Sequence, residues 1–121
     1  MYKFKKLRVW NDAIEFISFI YKVSNSYPKF ERFGLTDQIR RAAVSIALNI
    51  AEGSGSGSDK EFVRFLYFAL RSLFEVVTAV EVAKKLKYGN ESENNAIMEQ
   101  ANEIGAKIQS LINYLKKSKD K

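Results

Sequence analysis

Apolar residues recur at helical spacing along most of the chain, and one stretch is apolar on two sides. This is GLTDQIRRAAVSIALNIAEGSGSGSD, residues 34–59. At 100° per residue, Ile39, Ala42, Ala43, Ile46 and Ile50 share one face, while Val44, Ala47, Leu48 and Ala51 form a second. Only Gln38, Arg41, Ser45, Asn49 and Glu52 make a polar strip. A helix apolar on two sides is enclosed by more than one neighbour. The pattern therefore predicts a central helix over about 36–52, starting at Thr36, with the other helices packed around it.

The first helix is predicted over about 9–27. Trp10, Ala13, Ile14, Ile17, Ile20 and Tyr21 form its core stripe, and Phe16, Phe19 and Val23 form a second stripe beside it. Before it, residues 2–8 read as a short extended arm. Pro28 stops the helix, and the aromatics of PKFERFG, Phe30 and Phe33, are expected to fold back as a lid over the bundle end. The Gly/Ser run 53–58 reads as a mobile inter-helix loop, and Ser58-Asp-Lys-Glu61 as a capping box. The third helix follows over about 59–88, with Phe62, Leu66, Ala69, Leu73, Val76, Val77 and Val80 inward and Val63, Leu70 and Phe74 flanking them. The fourth, about 92–117, has a narrower stripe of Ile97, Ala101, Ile104, Ile108, Leu111, Ile112 and Leu115. Four amphipathic helices with short connections predict an all-α, up-down-up-down four-helix bundle in one domain, 1–121.

The apolar surplus changes this picture from monomer to assembly. Phe16, Phe19 and Val23 on the first helix, with Val44 and Leu48 on the central one, exceed what one core uses. Exposed together they would form a larger patch than a monomer normally shows. A homo-oligomer is expected, with these residues at its interface.

Charge adds a second expectation. The net +6 is concentrated at the two ends. Residues 1–8 carry Lys3, Lys5, Lys6 and Arg8, and residues 116–121 carry Lys116, Lys117, Lys119 and Lys121 against Asp120. The body between them is nearly neutral. Basic ends either keep a small protein in solution or meet an acidic partner, foremost nucleic acid. No apolar run reaches membrane-spanning length. The basic start MYKFKKLRVWNDAIEF meets Asp12 and Glu15 before an apolar leader could form. A cytoplasmic protein is expected, with no membrane partner.

Candidate chemistry narrows the function further. The chain has no Cys and no His, so thiolate chemistry and the commonest metal ligand and general base are missing. GSGSGSDK lacks the Gly-Lys-Ser/Thr ending of a phosphate-binding P-loop and follows a helix rather than a strand. Ser45, on the strip with Arg41, Asn49 and Glu52, has no base beside it. A hydrogen-bonded seam between helices accounts better for that strip. A hydrolase using carboxylates finds no close pair. No catalytic residues, cofactor or metal are expected. The third helix is more suggestive: Arg64, Tyr67, Phe68, Arg71, Glu75 and Thr78 cluster away from the core. Interleaved cations and aromatics can bind phosphates and stack on bases, though Arg71 and Glu75 could pair with each other and the rings could meet a subunit. Arg40 and Arg41 are either structural ion-pair partners or part of a shared basic surface.

The run FERFGLTDQIRRAAVSIALNIAEGSGSGSDKEFVRFLYFALRSLFE, with Trp10-Asn-Asp-Ala13 and Tyr27-Pro28 before it, resembles the ribosomal RNA intervening-sequence proteins. These are four-helix bundle proteins encoded in insertions within bacterial large-subunit ribosomal RNA genes and elsewhere in bacterial genomes. The likeness runs from about Leu7 to Leu86 and is most specific in Gly34-Leu35-Thr36, Gln38 to Ala43 and Asn49 to Gly53. It implies a protomer that assembles into a homopentameric ring, without a defined enzymatic activity. Related proteins accompany reverse transcriptases in diversity-generating retroelements, where a basic surface is thought to bind nucleic acid and the polymerase. Ala47 stands where the family usually has Pro, so a weaker kink is expected. Ser54 and Ser56 stand where Arg or Lys is frequent, leaving the loop neutral.

The sequence thus predicts a non-enzymatic homo-oligomer that binds RNA or DNA through Lys3, Lys5, Lys6, Arg8, Arg40, Arg41, Arg64 and Arg71. The alternative is a scaffold that docks a protein partner, such as a reverse transcriptase, without touching nucleic acid.

Overall fold

A computed structural model describes residues 2–118. It contains four helices: α1 (Arg8–Ser24), α2 (Leu35–Ser54), α3 (Asp59–Lys85) and α4 (Glu91–Ser118). Short 3-10 turns at Lys3–Lys6 and Lys29–Glu31 precede α1 and α2. No strand occurs among the described residues. Each helix packs on two neighbours in the order α1–α2–α3–α4–α1, and the backbones of the diagonal pairs do not approach closely. This is an all-α four-helix bundle with antiparallel neighbours.

The core is one cluster in which all four helices take part. Its largest enclosed side chains include Phe16, Ile20, Ile39, Ile46, Ile50, Leu66, Ile97 and Ile108. The packing of α2 on α3 is the most extensive. Small residues allow it: Ala42, Gly53 and Ala69 are all buried. A Cβ on Gly53 would lie 2.8 Å from Phe65 Cβ and 2.9 Å from Phe62 Cδ1. Gly53 is thus inside the helix at a point of close approach, rather than the stop that the Gly/Ser run suggests. α2 continues through it to Ser54.

The first helix is rolled relative to the sequence expectation. Val9, Ala13, Phe16, Ile20 and Val23 point inward, with Phe16 only 1% exposed and Val23 fully enclosed. Phe16 and Val23 are therefore core residues of the protomer and cannot form the outer stripe assigned to them. Ile14 and Tyr21, read as core, are exposed instead. Both stripes are apolar, so the pattern alone did not say which one faced in. Phe19 and Val44 are half-buried, and Leu48 is 60% exposed.

Four further expectations are corrected. Residues 3–6 are not extended: they form a 3-10 turn in which Phe4 packs on Trp10, ring centroids 4.9 Å apart. Phe30 and Phe33 do not close the bundle end. Phe30 makes a T-shaped pair with Tyr88 but is 79% exposed, and Phe33 is 87% exposed. Phe74 does not flank the core but projects outward, 62% exposed. The α2 start also differs. Thr36 is buried, and Glu31 caps the helix by accepting from the Leu35 N–H at 3.0 Å. Of the Ser58–Glu61 capping box, the Ser58 half forms, its hydroxyl accepting from the Glu61 N–H at 3.2 Å, while the Glu61 carboxylate accepts from Arg64.

Candidate nucleic-acid interface

The antiparallel order brings distant basic segments to one end of the bundle. The start of α1, the end of α2, the start of α3 and the end of α4 lie together. The Lys3–Lys6 turn packs against α1 and α2, and Lys3, Lys5, Lys6 and Arg8 are all exposed. At the same end, Lys116 of α4 reaches α3: its Nζ donates to Tyr67 Oη at 3.5 Å and sits 5.8 Å from the ring centroid. Lys107 of α4 pairs with Asp12 of α1 at 2.6 Å. Lys119 and Lys121 lie outside the described residues.

The outer face of α3 begins at this end. Arg64 and Arg71 flank the Phe68 ring, their guanidinium carbons 5.1 and 5.4 Å from its centroid. Residues three and four apart on a helix are neighbours, so one ring meets both cations. Arg64 also donates to Glu61 at 3.1 Å. Arg71 makes no ion pair among the described residues, and its pairing with Glu75 is not formed. The sequence expectation that cations and rings interleave on this face holds in the geometry.

Arg40 and Arg41 do not join this surface. They lie in the first half of α2, toward the other end. Arg40 is held by α1: its Nε donates to Ser24 Oγ at 2.9 Å, and its Nη2 donates to Asn25 Oδ1 at 3.0 Å and Tyr21 O at 3.3 Å. Its guanidinium lies over the Tyr21 ring at 4.6 Å. That geometry belongs to the α1–α2 seam. Arg41 pairs with Asp37 at 3.0 Å on an open surface, where such a pair is worth little.

The polar strip of α2 is likewise structural on its α3 side. Ser72 Oγ of α3 donates to Ser45 Oγ at 2.9 Å, and Asn49 Nδ2 donates to Ser45 O and Oγ. Among the described residues, no buried side-chain polar atom lacks a partner, and no group of His, Cys, Asp or Glu gathers as for a metal ion. Among the described residues, no helix is long and apolar enough to cross a membrane.

The sequence matches the profile of the 23S rRNA-intervening sequence proteins over residues 5–110. The chain belongs to that family. A crystal structure of a protein of unknown function from the S23 ribosomal protein family, from Bacteroides thetaiotaomicron VPI-5482, is similar over most of the chain. Its TM-score is 0.76 at 27% identity, over 86% of this chain and 97% of that one. No curated protein matches. The family match spans Lys5, Lys6, Arg8 and the whole outer face of α3, whereas Lys116 lies beyond it.

One feature of this intervening-sequence family member escaped the sequence reading. At the end opposite the basic termini, Tyr27 donates to Asn94 Oδ1 at 2.7 Å, and Asn94 Nδ2 donates to Tyr88 O at 2.9 Å. Tyr88 in turn donates to Glu31 Oε2 at 3.0 Å. Burial pushes the Tyr27 hydroxyl up to about 12. The Tyr88 hydroxyl is raised by desolvation and by the Glu31 carboxylate. Its partners are far apart in sequence, so no local motif announces it. The network fastens the α1–α2 turn to the α3–α4 turn and offers no free nucleophile.

Proposed function

We propose that this chain is a non-enzymatic, homo-oligomeric, cytoplasmic bundle that binds RNA or DNA electrostatically through its basic end. The reading is supported by the position of Lys3, Lys5, Lys6 and Arg8 at the same end of the bundle as Lys116, with the Arg64–Phe68–Arg71 face running from that end to the middle of α3. Lysines and arginines so placed neutralise phosphates without reading bases. In an assembly the basic end is repeated, so weak contacts act together. Five subunits is the number that the family resemblance favours.

The assembly is supported by the apolar side that α1 and α2 leave uncovered. Ile14, Tyr21 and Leu48 are exposed, with Val44 half-buried beside them. That same side supports the second reading, a scaffold whose apolar face receives a protein partner.

Fluorescence anisotropy with labelled RNA and DNA, at low and near-physiological salt, tests the proposal. Log affinity is expected to fall with log salt by about 0.7 to 0.9 per phosphate contact. Charge reversal at Lys3, Lys5 and Lys6 is expected to weaken binding more than reversal at Lys22. Absence of binding at low salt overturns the nucleic-acid reading and leaves the scaffold.

A further inference from the structure

Phe74 stands on α3 largely uncovered by the protomer. Two contacts fix how α4 runs past α3 from the level of Phe74 back to Tyr67. Leu73 Cδ2 comes within 3.1 Å of where a Cβ would stand on Gly105, and Lys116 Nζ reaches Tyr67 Oη. Between these levels, helical spacing puts Gln109, Asn113 and Lys116 on the side of α4 turned toward α3. All three are exposed. Gln109 Nε2 donates to Asn113 Oδ1 at 3.1 Å. On α3, Tyr67, Arg71 and Phe74 follow at the same spacing and are exposed as well. Tyr67 and Phe74 are about two turns, or roughly 10 Å, apart along the axis. Glu75 is turned about 100° away from Phe74 around the helix. Glu81 is further along and pairs with Lys84 at 3.8 Å.

The α3–α4 groove therefore offers two rings, two carboxamides and cations at its edges. We infer that it takes unpaired bases of single-stranded nucleic acid. The inference rests on the nucleic-acid reading and extends it from charge to stacking. Exposed rings stack on base faces of any sequence. Carboxamides donate and accept at once, and bind adenine best among base edges. Arg71 and Lys116 meet the adjoining phosphates. A duplex hides its base faces and gains only the electrostatic part.

The test compares labelled 20-nucleotide single strands of oligoadenylate and oligouridylate, as RNA and as DNA, with a duplex of equal length. Phe74→Ala and Phe74→Leu are measured beside the unmodified protein, with light scattering on each. Phe74→Leu keeps apolar area but has no aromatic face. The unmodified protein is expected to prefer single strands. Both variants should lose about tenfold in single-strand affinity, with duplex affinity and oligomer mass unchanged. Asn113→Ala should reduce the preference for oligoadenylate over oligouridylate. Unchanged single-strand binding in both Phe74 variants overturns the inference while leaving the basic end as the binding surface. So does an equal loss on duplex. A change of oligomer mass assigns the groove to a subunit contact and overturns it as well. If the unmodified protein binds neither single strand nor duplex at low salt, the broader reading fails with it.

Discussion

The guanidinium of Arg40 lies over the ring of Tyr21, 4.6 Å from its centroid, while donating to Ser24 of the same helix and to Asn25 just after it. One side chain thus stitches α2 to α1. Its removal leaves the Ser24 side unfilled and the ring uncovered. Arg40→Ala is expected to cost about 1–3 kcal/mol in urea denaturation. Arg40→Lys should recover little of it, since an ammonium lacks the planar fork. Nucleic-acid affinity should be unaffected by either change, in contrast to Arg71→Ala.

Gly53→Ala reverses the usual helix rule. In an open helix the change stabilises by about 1 kcal/mol. Here the added Cβ meets Phe65 Cβ at 2.8 Å and the Phe62 carbonyl at 3.2 Å. The closest α2–α3 packing must part, and a loss of about 1–3 kcal/mol is expected. Thermal unfolding should show a lower Tm. Gly57→Ala, where nothing lies within 4 Å, is the control and should leave Tm nearly unchanged.

Tyr27 makes stability depend on alkaline pH. Its hydroxyl ionises near 10 in the unfolded chain and is pushed up to about 12 in the bundle. Between those values the unfolded state holds fewer protons, so stability falls as pH rises. Below about pH 10 the group contributes no slope. Tyr88 is raised in the same direction and adds to the decline. Urea unfolding at pH 9 and pH 11 should show a drop of about 1–2 kcal/mol from Tyr27. Tyr27→Phe should flatten the decline, while lowering stability at neutral pH by leaving Asn94 Oδ1 without its donor.

Assembly and core can be separated by two substitutions on neighbouring helices. Leu48→Glu changes an exposed side chain and is expected to yield smaller, folded particles in light scattering. Phe16→Glu puts a carboxylate among enclosed apolar groups and is expected to abolish folding. A folded, unchanged oligomer from Leu48→Glu would remove α2 from the subunit contact.

Most of the bundle was legible in the sequence because the period of 3.6 is written over long segments. Pro28, the Ser58 cap and the apolar stripe of α4 placed the elements. The roll of α1 was not legible. Trp10, Ile14, Ile17 and Tyr21 compete with Phe16 and Val23, and only the neighbours decide which set is enclosed. Gly53 misled because a close approach and a helix stop call for the same residue. Of the candidate surface, the pairing of cations with rings on α3 follows from local spacing and was visible. The different situation of Arg40 was not, since its partners lie on another helix.

With an even number of antiparallel helices, both ends of the described chain and the Gly/Ser connection after α2 emerge at the same pole. Anything joined to either end, an affinity handle or a fluorescent protein, therefore lands on the surface carrying Lys3 to Arg8 and Lys116. Neither end offers a neutral attachment point. Immobilisation through the opposite pole, for example by a cysteine placed at the exposed Ser92, leaves the basic surface facing the solution. Binding measured that way should exceed binding measured through a tether at either end.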